Sequence, residues 1–407
     1  MHDSDYFLLM RSALLSSLCI FSFFLASQSI FSNTIELETL IRNDEGKLAI
    51  SADSSDSNVS KLARRAFALH GGIVVTEEAV DALFLVKIEP TGDSSVLLTL
   101  GSGQPYAEQL RRTVSGRDLQ NAVLRACDLV VEVTLQSKGF FAGRLAFVCK
   151  KNGFSELYTS DLLFTRISPL TADRALITGP KWSPDGRSLL YTTYFKSGFP
   201  DIYKIDVDSR RKTPIATFKG LNSGGAFSPD GRQIAMSLSG TGNSEIYVSD
   251  SLGKNIRRLT ANKSLETSPS WSPNGRRIVY TSDALGKPQL YEISSSGGSA
   301  RRIPTNISSY CSEPDWNPVD ENLIAFTAAV RGGFQIALYD AKKRSSEILT
   351  GGASSLEPTW LRDGRHLVFT QRKGSIIRLM LLDTLTKEVS ALHAPSFGEA
   401  SIASYVY

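Results

Sequence analysis

The sequence predicts a small N-terminal α/β domain followed by an all-β six-bladed β-propeller. Three observations predict this fold. A repeat of about 44 residues fills the chain from residue 140 onward, each repeat holds several short strand-like runs, and helical periodicity is confined to the residues before it. Several short strands in each unit of roughly 40–45 residues are typical of propeller blades.

The first 28 residues are typical of an export signal. Residues 12–26, SALLSSLCIFSFFLA, are apolar or small and are followed by polar residues. This run is shorter than the roughly 20 residues of a membrane-spanning helix and matches a signal-peptide core. Acidic Asp3 and Asp5 precede the core, so Met10, followed by Arg11, is the expected start. Residues 1–28 are predicted to be cleaved, and the remaining chain is expected to lack direct membrane insertion.

Residues 31–137 are predicted to form the α/β domain. Apolar residues at helical spacing predict one helix within 58–72 and a second within 115–135. The runs 82–90 and 95–102 alternate like strands on either side of a Thr-Gly-Asp turn, which predicts a hairpin. Two helices against a small sheet make a compact α/β domain.

Residues 140–407 are predicted to form the propeller. Five segments share an aromatic residue, a turn and a strand, and their aromatic residues recur every 44 or 45 positions. The segments are KWSPDGRSLLYTT (181–193), AFSPDGRQIAMSL (226–238), SWSPNGRRIVYTS (270–282), DWNPVDENLIAFT (315–327) and TWLRDGRHLVFTQ (359–371). The aromatic residue is expected to pack between neighbouring blades.

A sixth unit, RLAFVC (144–149) with ELYTSD (156–161), lacks the aromatic leader. Ile402 stands near the next repeat position after Trp360. Because an open sheet edge promotes aggregation, residues 401–407 are predicted to supply the missing strand and close the ring.

The repeated Ser-Pro-Asp-Gly sequence is predicted to be a turn. Proline presets its φ angle, aspartate bonds to nearby amides and glycine takes the positive φ. Asp185 therefore has a structural role, since a residue repeated in each blade is better explained by a repeated structure than by catalysis or metal binding.

No catalytic residue, cofactor site or metal site is predicted. His70, His366 and His393 lack ligand spacing, and no Gly-x-Ser-x-Gly elbow occurs. Three cysteines that follow the signal peptide are expected to be buried thiols; they are Cys127, Cys149 and Cys311. A net charge of +4, without a dense basic stripe, argues against a nucleic-acid partner.

Partner binding is predicted at the segments just before each aromatic residue, which are expected to form loops around one rim. Small or acidic residues stand three positions before the aromatic residue: Gly179, Gly224, Ser268, Glu313 and Glu357. Such a rim suits a polar or basic segment of another molecule.

The order of these motifs resembles the TolB family of the Tol-Pal envelope system of Gram-negative bacteria. GFFAGRLAFV, TGPKWSPDGR, GGAFSPDGR and ETSPSWSPNGRRIVYTSD carry the resemblance over about 140–330. It implies a periplasmic, non-enzymatic and monomeric scaffold. Such a scaffold links the lipoprotein Pal, the outer membrane and peptidoglycan to the inner-membrane TolA-TolQ-TolR complex, and contributes to envelope integrity and cell division.

The resemblance also implies two contact regions. A Pal-like lipoprotein would meet the pre-aromatic rim at Leu221, Gly224, Glu266, Thr267, Glu313 and Glu357. A TolA-like protein would meet the segment Thr34–Arg42 at Thr34, Ile35, Leu37 and Ile41. Two alternatives stay open: a propeller that binds a small ligand or a peptidoglycan fragment in its channel, and a propeller associated with a peptidase.

Overall fold

The structure, a computed structural model, describes residues 46–103, 105–151, 153–195 and 198–407. The predicted signal peptide, the start at Met10 and the segment Thr34–Arg42 lie outside the described residues. The described chain contains one five-stranded sheet with two α-helices, followed by six four-stranded sheets. All seven sheets belong to one compact unit.

The α/β portion, Leu48–Leu135, is a mixed sheet in the order β2-β1-β3-β4-β5 with two helices packed on it. Its strands are β1 Leu48–Asp53, β2 Ile73–Val75, β3 Phe84–Gly92, β4 Ser95–Ser102 and β5 Ala107–Ser115. Its helices are α1 Ser57–Phe67 and α2 Leu119–Leu135. Asp56 and Asp118 accept backbone N–H bonds at the helix starts, which explains where each helix begins. Both predicted helices and the predicted hairpin of β3 and β4 are confirmed.

Six antiparallel four-stranded sheets form the blades of the propeller, as predicted. Blade 1 is β29 Glu399–Val406, β6 Arg144–Lys151, β7 Phe154–Asp161 and β8 Ile167–Pro169. Blade 2 is β9 Ile177–Trp182, β10 Ser188–Thr193, β11 Asp201–Asp206 and β12 Lys212–Ala216. Blade 3 is β13 Asn222–Phe227, β14 Gln233–Leu238, β15 Glu245–Asp250 and β16 Arg257–Arg258.

The remaining blades repeat this pattern. Blade 4 is β17 Glu266–Trp271, β18 Arg277–Ser282, β19 Gln289–Ser294 and β20 Arg301–Arg302. Blade 5 is β21 Cys311–Trp316, β22 Leu323–Val330, β23 Gly333–Asp340 and β24 Ser345–Ile348. Blade 6 is β25 Ser354–Trp360, β26 His366–Lys373, β27 Ile376–Asp383 and β28 Val389–Ala391.

The innermost strands form a closed ring in the order β9, β13, β17, β21, β25 and β29, with each strand contacting the next. The C-terminal strand β29 pairs with β6 from the start of the propeller, so blade 1 combines both ends of this part of the chain. The aromatic leaders fill the spaces between blades. Trp316, for example, packs with Val279 of blade 4 and Phe326 of blade 5.

The repeated turn is held by its own aspartate. Asp185 accepts hydrogen bonds from Ser183 Oγ at 2.6 Å and from the Arg187 N–H at 3.0 Å. These bonds lower the pKa of Asp185, with the Ser183 bond the largest cause. Asp230 makes the equivalent bonds to Ser228 and Arg232 in blade 3. Asp185 is therefore a turn residue.

Cys127, Cys149 and Cys311 are buried thiols, as expected. Within the described part of the chain, none of the helices has the length and apolar character needed to cross a membrane.

Candidate functional site

The segments before each aromatic residue are the innermost strands of the blades, so the prediction of rim loops is wrong. Each of these strands carries a β-bulge just before its aromatic residue, and the residue three positions before the aromatic residue lies in the bulge. There the backbone turns left-handed, with φ of 61° at Gly179, 68° at Gly224, 54° at Ser268, 53° at Glu313 and 58° at Glu357. Ile402 takes the same place in β29, with φ of 50°.

The bulge has a sequence signal. Proline follows the left-handed residue in four strands, at Pro180, Pro269, Pro314 and Pro358. Because proline cannot donate to the ladder, it is tolerated inside a sheet chiefly at bulges and edges. A proline one residue after the predicted rim position therefore indicates an interrupted strand rather than a loop.

Hydroxyl groups from the preceding blade hold three of these bulges. Thr281 Oγ1 accepts the Glu313 N–H at 3.2 Å, and Thr327 Oγ1 accepts the Glu357 N–H at 3.1 Å. Thr370 Oγ1 accepts the Ile402 N–H at 2.9 Å. The bulge amides are therefore satisfied between blades, which links neighbouring innermost strands around the channel.

Two glutamates extend this network. Thr327 Oγ1 donates to Glu313 Oε2 at 2.7 Å, and the Glu357 N–H donates to the same oxygen at 3.2 Å. Thr370 Oγ1 donates to Glu357 Oε2 at 2.9 Å. Burial raises the pKa of Glu357 to about 7, and the neighbouring carboxylate of Glu313 adds to the shift.

Four of the predicted contact residues line one cavity of about 230 Å³ in the channel: Gly224, Thr267, Glu313 and Glu357. They are partly exposed there. Lys181 lines this cavity and also a second one of about 290 Å³, which the aromatic leaders surround, so the two cavities are successive parts of one channel.

Two predicted residues lie elsewhere. Glu266 is 1% exposed and accepts a hydrogen bond from Asn262 between blades 3 and 4, so its assignment to an accessible rim is wrong. Burial raises the pKa of Glu266, and Glu245 beside it contributes to the shift. Leu221 precedes β13 and donates its N–H to Ser239 Oγ at 2.7 Å, outside the residues that line the cavity.

A buried cluster of histidine, aspartate and arginine side chains joins the α/β portion to blade 6. The rings of His70 and His366 lie 4.7 Å apart, and both side chains are 0% exposed. His366 Nδ1 lies 2.6 Å from Asp363 Oδ2, and Arg365 Nη2 donates to Asp383 Oδ2 at 2.6 Å. Only the tertiary fold brings His70 to His366, so residue spacing carried no signal for this cluster.

His70, His366 and Asp383 place possible metal-ligand atoms within 4.8 Å of one another. Their hydrogen bonds do not fit a metal ion. Asp383 already accepts from Arg365 and from the Leu385 N–H. His70 Nδ1 accepts the Gly72 N–H at 3.1 Å, which leaves the ring proton on Nε2, the atom that would have to face the ion.

Comparison with known proteins places the propeller in a family. Residues 131–403 match the family model described as TolB beta propeller domain, which covers more than half of the chain. The chain belongs to the TolB β-propeller family. The resemblance drawn from the repeated motifs is therefore confirmed.

Curated TolB relatives match over shorter segments. The Tol-Pal system protein TolB of Anaeromyxobacter sp. (strain K) is 32% identical over 98 residues, which are 24% of this chain and 22% of that protein. The Tol-Pal system protein TolB of Desulfosudis oleivorans is 30% identical over 143 residues, 35% of this chain and 32% of that protein. These matches span about a fifth to a third of the relatives' length.

A crystal structure of TolB from Acinetobacter baumannii superimposes with a TM-score of 0.81 at 22% identity. The match covers 89% of this chain and 97% of that chain. The TolB likeness thus extends to the fold of most of the chain.

Proposed function

We propose that this chain is a periplasmic, exported scaffold of a Tol-Pal-type envelope system. It binds a Pal-like lipoprotein at the propeller and a TolA-like inner-membrane protein through its N-terminal segment, and so links the outer membrane and peptidoglycan to a TolA-TolQ-TolR complex. Its role in envelope integrity and cell division follows from this linkage, without a bond being broken. Membership of the TolB β-propeller family supports the proposal.

The observation that carries the Pal-like contact is the convergence of Gly224, Thr267, Glu313 and Glu357 on one channel cavity. Gly224 and Thr267 add no long side chain to that wall, and Glu313 and Glu357 add two carboxyl groups to it. A partner segment that reaches into the mouth and presents a polar or basic group there suits this wall. Leu221 and Glu266 do not belong to the proposed contact.

Thr267→Arg tests the Pal-like contact. Arginine adds a long cationic side chain to the partly exposed cavity wall, and we expect capture of a Pal-like lipoprotein to fall at least about tenfold, a loss of about 1.4 kcal/mol. The measurement is the dissociation constant of the purified pair, with the melting temperature as a folding check.

Leu252→Arg is the matched control. Leu252 is 59% exposed in the turn after β15 and does not line the cavity, so its replacement should leave capture unchanged. Equal affinities of the Thr267→Arg protein and the unaltered protein would contradict the proposed contact.

The TolA-like contact is tested separately by deleting residues 34–42. We expect this deletion to abolish capture of a TolA-like periplasmic domain and to leave capture of the Pal-like lipoprotein intact. Loss of both captures would show that the segment supports the fold, and loss of neither would contradict its assignment.

A further inference from the structure

The loop after α1 is packed tightly against blade 6. The ring of His70 lies 5.7 Å from that of Phe140 and 4.7 Å from that of His366. The backbone of Gly71 passes so close to blade 6 that a Cβ atom there would stand 2.4 Å from Asp383 Oδ2. The contact between the α/β portion and the propeller is therefore buried and close-packed around His70.

The blade 6 side of this contact is balanced in charge when His366 carries a proton. His366 Nδ1 faces Asp363 at 2.6 Å, and its Nε2 lies 3.4 Å from Asp383 Oδ2. Burial alone would lower the pKa of His366, but Asp363 and Asp383 raise it. Two aspartates then offset two cations, the imidazolium of His366 and the guanidinium of Arg365.

His70 is held in the neutral form. Burial lowers the pKa of His70 well below its ordinary value, and the positive charges of His366 and Arg365 lower it further. A second proton would have to occupy Nδ1, the atom that accepts the Gly72 N–H at 3.1 Å. Protonation would therefore remove a hydrogen bond and place a third cation in a buried site.

We propose that this contact is a pH-sensitive latch, in which protonation of His70 releases the α/β portion from blade 6 under acidic conditions. The charged groups that face His70 from blade 6 are Asp363, Arg365, His366 and Asp383. Phe140, in the segment between α2 and β6, also packs against it, and the Lys47–Glu388 ion pair lies at the edge of the contact.

The direction of the effect follows from the lowered pKa of His70 in the closed form. The open form takes up a proton at His70 below the ordinary pKa of about 6.5, whereas the closed form resists it, so acid favours the open form. One linked proton shifts the equilibrium about tenfold per pH unit below that value. Asp363 and Asp383 both belong to blade 6 and keep facing His366 when the contact opens, so the His366 proton does not oppose this shift.

Hydrogen exchange of the full chain, corrected for the intrinsic effect of pH, tests the proposal. The Gly72 and Ile73 amides report on the latch because both bond to His70. Between pH 7.0 and pH 5.5 we expect their protection to fall about tenfold. In His70→Asn, which keeps an acceptor for the Gly72 N–H but cannot take up a proton, we expect less than a twofold change.

His393→Asn is the matched control. His393 is also buried with a lowered pKa, and its Nε2 accepts the Leu379 N–H at 3.1 Å within blade 6. This variant should keep the tenfold response. A full response in His70→Asn, or protection in the unaltered protein that does not change with pH, would overturn the latch. The change of amide protection with pH decides the outcome, so the test holds even where a substitution weakens the contact at every pH.

Discussion

At the scale of single residues, one position in each blade shapes the channel. The left-handed bulge is occupied by glycine in blades 2 and 3 and by serine, glutamate, glutamate and isoleucine in the others. A β-branched residue such as Ile402 rarely adopts positive φ. Its N–H bond to Thr370 and its packing against the blade 1–2 core hold it there. The bulge is therefore imposed by the ring rather than by local preference.

Glu357→Gln is expected to raise stability at alkaline pH. The pKa of Glu357 is raised to about 7 in the folded protein, so the folded state binds its proton more tightly than the unfolded state. Stability is then lost as pH rises from about 4.5 to 7, by about 3 kcal/mol. Glutamine keeps an acceptor for Thr370 without the charge. Urea unfolding at pH 5 and pH 8 should show a smaller difference for the variant.

Glu347→Gln provides the comparison for this experiment. Glu347 is an exposed residue of β24 that pairs with Lys387 at 2.6 Å. Because exposed ion pairs contribute little, we expect its pH dependence to match that of the unaltered protein. Equal pH dependence in all three proteins would mean that Glu357 stays ionised in the folded state.

The residue-scale predictions from the sequence succeeded where structure repeats and failed where it is interrupted. The 44-residue spacing identified the aromatic leaders and the turn role of Asp185. It did not separate buried Glu266 from the channel-lining Glu313, because both precede an aromatic residue. A bulge changes which side chains face the channel, because a shift of one residue in register moves each following side chain to the opposite face of the strand. The candidate channel site was therefore predicted to within one strand, but not side chain by side chain.

At the scale of elements, the blades differ most at their edges. The outermost strands are short, and β16 and β20 are Arg-Arg pairs. Short, charged edge strands resist pairing with other chains. The innermost strands are protected instead by the ring, in which β29 stands between β25 and β9. The inner edge of blade 1 therefore depends on the last residues of the chain.

Deletion of residues 399–407 should destabilise the whole propeller. Without β29, the ladder edge of β6 loses its partner and Trp182 loses its N–H bond to Ser404 Oγ at 3.1 Å. We expect a fall in melting temperature of more than about 10 °C, because several kcal/mol of pairing and packing are lost. Tryptophan fluorescence reports this melt, since all four tryptophans are blade leaders.

A synthetic peptide of residues 399–407 makes this test specific. Added in excess to the truncated protein, the peptide should restore part of the lost melting temperature, because it binds the folded state only. A scrambled peptide of the same composition should have no effect. An unchanged melt on truncation would mean that blade 1 is stable without β29.

At the scale of the whole molecule, the strand that closes the ring also meets the α/β portion. Tyr405 Oη donates at 2.8 Å to the carbonyl of Phe140, in the segment between α2 and β6, and Arg362 pairs with Glu132 of α2 at 3.1 Å. Asp128 of α2 accepts the N–H groups of Phe141 and Ala142 at 2.6 and 3.0 Å. The sequence predicted both parts of the chain from their periodicity. The contact between them could not be predicted in this way, because it joins residues that are distant in the chain and follow no repeating pattern.

Gly71→Ala should open this contact while leaving the propeller folded. The new Cβ would lie 2.4 Å from Asp383 Oδ2 and 2.5 Å from Thr386 Oγ1, both far inside van der Waals contact. Overpacking of this kind costs about 1–3 kcal/mol. We expect the Gly72 and Ile73 amides to exchange at least about fivefold faster at pH 7.

Tryptophan fluorescence separates the two parts of the molecule in this experiment, because the α/β portion contains no tryptophan. Suppose that the melting temperature of the blades stays within a few degrees of that of the unaltered protein while the Gly72 amide exchanges faster. The contact then opens independently of the ring. Gly351→Ala is the control, since a Cβ there meets nothing within 4 Å. If the melting temperature of the blades also falls in Gly71→Ala, the α/β contact unfolds cooperatively with the ring.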